Sequence, residues 1–284
     1  MSIISQRTVS KLGRQYKVML EQYNNSAEMV NDLKTRSLTS SSFDDKSRKA
    51  DFDEWDGVKS YGECLEYLSN GYQPTVDALR DVSKATVQGN GKRIGFKNDI
   101  VGGMPIVPLA MMGIPNSMVN TYIKPIKAKV LDVYYDVTCS WKTKSKDIIK
   151  AGQTLLATIL KLEQEGYKFN LYAVQTYSDS ESCDMLVIKV KSSNQPLDLK
   201  RMSYTLTHTS FFRVLGFDWY SRTPKGKYRF GYGHNLGVEL NENSTQLNEF
   251  AQQLFGKNSI YISAFLMHKS GDKDTYIDNM INPK

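Results

Sequence analysis

The chain has 284 residues, 40% hydrophobic and 11% aromatic, with 37 basic against 30 acidic side chains and a formal net charge of +7. This composition fits a packed globular protein and excludes a disordered one, and no apolar run reaches the ~20 residues of a membrane helix. Cys64, Cys139 and Cys183 are scattered and odd in number. They form neither a disulfide framework nor a zinc set, and they point to a reducing compartment.

No basic segment precedes an apolar core at the N-terminus, so no secretory signal is expected. In residues 2–36, Val9, Leu12, Tyr16, Met19 and Tyr23 recur every three or four positions. That spacing predicts a helical arm with one narrow apolar stripe. A polar linker, 37–47, follows, so residues 1–50 read as arm and linker.

Residues 51–125 read as a helical and irregular block that packs on a core. Trp55 and Gly57 mark a turn, and Ser60 with Glu63 forms a capping box for a helix ending at Gly71. A second helix is expected from Pro74 to about Val87. Asp99 to Met118 is rich in Gly, Pro and Met. It reads as a semi-extended segment laid over another surface, its path fixed by Pro105, Pro108 and Pro115. No phosphate-loop motif is present.

Residues 126–284 read as an α/β domain. Val130 to Tyr135 is an apolar strand, Ile148 to Leu162 an amphipathic helix closed by Gly166, and Phe169 to Val174 a second strand. Strand, helix and strand make a βαβ unit with parallel strands. A strand at Met185 to Val190, a helix at Pro196 to Leu206 and a strand at Phe211 to Tyr220 follow. A helical pattern at Ser244 to Phe255 and a strand at Ser259 to Met267 close the domain.

The first βαβ strand ends in D-x-T-x-S, formed by Asp136, Thr138 and Ser140. Ligands of open α/β sheets bind beyond the carboxyl ends of strands. A carboxylate and two hydroxyls there are hard oxygen donors suited to Mg²⁺ or Mn²⁺. Ser178 and Asp179, at the end of the second strand, share that edge. The motif resembles the metal-ion-dependent adhesion site of von Willebrand A-type domains, with Thr for the middle Ser. The resemblance implies a doubly wound, mostly parallel von Willebrand A-like sheet, here with a helical N-terminal extension. It also implies a cation whose shell a partner's carboxylate completes, and a MoxR-type ATPase as one partner. The alternative is that Asp136 only caps its turn while Thr138 and Ser140 satisfy nearby backbone groups.

The run W-D-G-x-x-S-x-x-E-x-x-x-x-L-x-x-G-Y (Trp55 to Tyr72), the stretch D-I-V-G-G-M-P-I-V-P-L-A-M-M-G-I-P-N-S-M (Asp99 to Met118) and the block Leu197 to Phe217 are similar to a family encoded by tailed bacteriophages and prophages. The chain departs from that family at Ile106, where Asp is usual, and at Thr209, where Pro is usual, and it keeps one arginine, Arg213. The resemblance implies a phage origin and the infected host's cytoplasm, or the virion, as location. It supplies no activity.

A second candidate surface is Ser221 to Asn235. Arg222, Lys225, Lys227 and Arg229 alternate there with Tyr228, Phe230 and Tyr232. Cations for phosphates and rings for bases would suit nucleic acid. A hairpin with core-facing rings and edge lysines would look the same. No Ser/His/Asp order or paired-carboxylate motif appears, so no catalysis is expected. The sequence points to a protein-binding module. A nucleic-acid-associated protein or a virion component is the alternative.

Overall fold

A computed structural model of the chain describes residues 2–11, 14–37, 55–80, 93–124, 129–140, 142–179, 181–223 and 244–281. In chain order these form β1 (Ile3–Lys11), β2 (Arg14–Tyr23), α1 (Ser26–Thr35), α2 (Tyr61–Asn70), α3 (Gln73–Ala78), β3 (Arg93–Asp99), β4 (Met104–Pro105) and α4 (Val107–Met111). They continue with β5 (Met118–Lys124), β6 (Val130–Asp136), α5 (Ser145–Gln164), β7 (Lys168–Ser178), β8 (Ser182–Lys191), α6 (Leu199–Thr207), a π-helical turn (Phe211–Gly216) and α7 (Phe217–Tyr220). Helix α8 (Ser244–Phe255), β9 (Ser259–Ser263), α9 (Ala264–Ser270) and α10 (Lys273–Ile281) complete the chain.

The protein is mixed α/β. Its main sheet has six strands in the order β1-β2-β8-β7-β6-β9. The β2–β8, β6–β7 and β6–β9 pairs are parallel, and β1–β2 and β7–β8 are antiparallel. The period of two along each strand splits the core into two layers. Leu131, Val133 and Tyr135 of β6 and Ile260 and Ile262 of β9 join the layer containing α5 and α6. Tyr134 and Tyr261 point the other way and pack with Leu247, Phe250 and Leu254 of α8. Val133 and Tyr135 on one face and Tyr134 on the other are all buried, which is why β6 reads as a continuous apolar run.

The βαβ unit is as the sequence predicts, with β6 and β7 parallel through α5. Ser60 and Asp198 cap α2 and α6, accepting from the Glu63 and Arg201 amides. Three expectations are corrected.

The N-terminal segment is no helical arm. It is a β-hairpin built into the main sheet, followed by α1. Tyr16, Val18 and Leu20 are buried while Lys17 between them is exposed, a strand alternation that overrides the coincidental three-to-four spacing. The Phe211 to Tyr220 run is helical, and because it is buried on every side it carries no periodicity that would tell a helix from a strand. The Ser259 to Met267 strand ends at Ser263, whose hydroxyl caps α9 by accepting from the Leu266 amide.

The fourth difference matters most for function. Residues 93–124 form a separate three-stranded antiparallel sheet, β3-β5-β4, with α4 between its strands. The Asp99 to Met118 stretch was expected to lie on another surface. None of the side chains described from Phe96 to Tyr122 is buried.

Candidate functional site

The D-x-T-x-S residues sit at the carboxyl end of β6, as expected, but the carboxylate faces inward. Asp136 is 0% exposed. Its Oδ1 accepts from the Thr138 amide at 3.0 Å, and its Oδ2 accepts from the Thr176 hydroxyl at 2.9 Å and the Tyr261 phenol at 2.8 Å. The Thr138 hydroxyl accepts from the Thr176 amide at 2.9 Å. Burial pushes the Asp136 carboxyl up to about 6, against the opposing pull of these hydrogen bonds. Both motif residues therefore stitch β6 to β7 and β9.

Ser140 and Asp179, two of the other proposed metal ligands, accept hydrogen bonds within their own turns. Ser140 is half-buried, and its hydroxyl accepts from the Lys142 amide at 3.4 Å. Ser178 is buried four residues beyond Val174, the register partner of Asp136. Asp179 holds the β7–β8 turn, accepting from the Glu181 amide at 2.9 Å and the Ser182 amide at 2.6 Å. With its oxygens committed to internal donors, Asp136 does not fit Mg²⁺ or Mn²⁺ in this arrangement. Among the described residues, no three of His, Cys, Asp and Glu form a metal-holding group.

Arg222, the first residue of the second candidate surface, is buried. It pairs with Asp218 at 2.8 Å and donates to the Arg36 carbonyl. It braces α7 against the end of α1 and is not a nucleic-acid contact. Lys225, Lys227, Tyr228, Arg229, Phe230 and Tyr232 lie outside the described residues. Cys139 is buried, and its thiol is pushed upward by burial, consistent with an inert core position. Burial also holds the His208 imidazole down at about 4, and its Nδ1 lies 2.9 Å from the Ser210 hydroxyl.

Two features escaped the sequence reading. The first is a cleft beyond the end of β6, lined by Trp55, Lys142, Thr143, Lys144, Lys146 and Arg213. Arg213 is buried and stacks over Trp55 at 4.1 Å, while its guanidinium donates to the Trp55 and Thr143 carbonyls. It fixes the loop that presents the three exposed lysines at the start of α5. Lys144 is the N-cap residue of α5 and makes no side-chain cap, so the helix's N-terminal dipole adds to the positive field. The signal was K-x-K-x-K running into the start of a helix.

The second is the β3–β5 flap. In the register, Asn98 and Phe96 lie opposite Val119 and Thr121, and Met104 opposite Val119, so these share one face. Phe96 is 71% exposed, Met104 66% and Met111 83%. From Ile100 to Ile123 there is no charged residue. That charge-free run was the available signal.

Residues 5–283 match the model of a family described as a domain of unknown function, DUF7192. The chain belongs to the DUF7192 family. No curated protein matches it, and no solved structure does. For this DUF7192 chain, the functional argument therefore rests on its own surfaces. No helix among the described residues is long and apolar enough to cross a membrane.

Proposed function

We propose that this is a phage-encoded, non-catalytic protein-binding module whose recognition surface is the β3–β5 flap. One observation carries the reading: a flap dominated by large apolar residues, without charge from Ile100 to Ile123, buries none of its described side chains. Monomeric proteins rarely leave such surface in water, and large apolar patches mark interaction sites. The phage origin rests on the sequence resemblance. We read the β6–α5–β7 core as von Willebrand A-like on its topology and the carboxylate at its strand end. The three cysteines are buried and none is in a disulfide, in keeping with a reducing cytoplasm. The inward-facing Asp136 lends no support to a cation-bridged contact or, through it, to a MoxR-type ATPase. The test is a photo-cross-linking residue at Met111, with Lys150 as an exposed control on the main body. Polypeptide adducts should concentrate at Met111, and their absence there would sink the reading.

A second reading, association with nucleic acid, is favoured by the lysine-rimmed cleft beside Trp55. Three phosphate contacts there would add about 2–3 to the salt slope of binding. Changing Lys142, Lys144 and Lys146 together to Ala should remove that increment, and changing Lys227 and Arg229 to Ala tests the later basic stretch. No affinity for DNA or RNA at low salt would eliminate this reading.

A further inference from the structure

The flap has an amphipathic construction and lacks the layer that such a construction needs. One face of its sheet carries Phe96, Met104, Val119 and Thr121 with Asn98 among them, and the opposite face carries Lys97, Asp99, Asn120 and Tyr122 together with Pro105 and Met118. Alternation of this kind specifies one covered face and one wet face. Outside the strands, Ile100 and Val101 (67% and 73% exposed) and Met111 and Met112 at the end of α4 (83% and 66% exposed) are also left in water.

Size and charge narrow the occupant. Phe96, Ile100, Val101, Met104, Met111 and Met112 together present on the order of 700 Å², if each would expose roughly 150–200 Å² when fully free. A stable interface buries roughly 800 Å² per partner, so one flap carries close to its half of such a contact. A two-fold contact sets a patch against itself, and any charge on it would meet its own like. The Ile100 to Ile123 run holds none, so this surface meets its own copy without like-charge repulsion. A bilayer is the competing occupant of an uncharged apolar surface, and vesicle flotation separates the two.

We infer that the flap is a self-association surface: its apolar face packs on the same face of a second copy of this chain. The inference rests on the protein-binding reading and names its occupant. Pairing two flaps supplies the layer that Phe96, Met104 and Val119 lack.

Sedimentation of the full chain over a range of concentrations tests it, comparing wild type with the double variant Phe96→Glu, Met111→Glu. Both positions are exposed, so the variant should keep the wild-type circular dichroism and melting temperature. The expected result is a concentration-dependent dimer whose affinity falls at least ~100-fold in the variant, since each copy would then carry two like charges into the contact. A wild type that stays monomeric to about 100 μM overturns the inference, because a standard-size interface binds more tightly than that. So does a dimer that survives unchanged in the variant. Flotation with phosphatidylcholine and phosphatidylserine vesicles is run in parallel, and a monomer that floats through the flap makes the bilayer the occupant. Met111 cross-links to a different polypeptide, with no self-adduct, would keep the flap as a binding surface but overturn self-association.

Discussion

The Tyr261 phenol donates to Asp136 Oδ2 at 2.8 Å, joining β9 to the end of β6. Together with the Thr176 hydroxyl and the Thr138 amide, it converts a motif that reads as a cation site into an internal brace. Asp136→Ala would leave three buried donors without their acceptor. Each such orphan costs about 1–3 kcal/mol, so the variant should lose about 3–5 kcal/mol in denaturant unfolding. Mg²⁺ and Mn²⁺ should give no binding heat with either protein. A cation that binds wild type and not Asp136→Ala would restore the adhesion-site reading.

Asp136 also sets a pH dependence. Its carboxyl titrates at about 6 in the fold against an ordinary value of 3.8, so the folded state holds the proton more tightly. The stability from this group is full below about pH 4 and is lost as pH rises through about 6, by about 3 kcal/mol in all. His208 works in the opposite sense. Its folded value is lowered from 6.5 to about 4, so its contribution is present above about 6.5 and is lost as pH falls toward 4. Asp136→Asn should therefore turn the slope of stability upward with pH between about 4 and 6. Urea midpoints across that range decide the matter, and parallel profiles for the two proteins would refute the assignment.

Gly152 lies inside α5, where alanine normally stabilises a helix by about 1 kcal/mol. A Cβ at this position would sit 2.3 Å from the Leu206 carbonyl oxygen and 2.7 Å from Thr207 Cα. Both are backbone atoms of α6, so the two helices would have to move apart. Gly152→Ala should destabilise by about 2 kcal/mol. A gain in melting temperature would show that α5 and α6 are not so close.

Lys191 and Glu163 form a buried ion pair at 2.8 Å, with side chains 2% and 8% exposed. Lys191→Met alone strands a buried carboxylate and should cost about 3–5 kcal/mol. The double change Lys191→Met, Glu163→Leu should cost less than the single one, because no charge is left behind. A double-mutant cycle in thermal unfolding measures this, and simple additivity would count against the pair.

Much of the core was readable because its periodicities are unambiguous. Ile148, Leu155, Leu156, Ile159 and Leu162 trace one helical face, and they are buried against the sheet as that face requires. Ser60 and Gly166 mark helix ends through hydrogen bonds and backbone angles that are local. The N-terminal hairpin was misread because Val9, Tyr16 and Tyr23 fit a helical spacing as well as a strand. Only pairing with β8, more than 150 residues away, decides between them. The same holds for Phe211 to Tyr220, where burial on all sides erases the pattern.

The sequence by itself determined the βαβ unit, the caps and the place of Asp136 at a strand end, since each depends on neighbours within a few residues. The tertiary structure decided what that carboxylate does and which surface is uncovered. The direction of Asp136 depends on hydroxyls at Thr176 and Tyr261, 40 and 125 residues along the chain. The availability of the flap depends on which surfaces the rest of the fold leaves without a neighbour. Both are long-range facts, and local spacing carries no record of them.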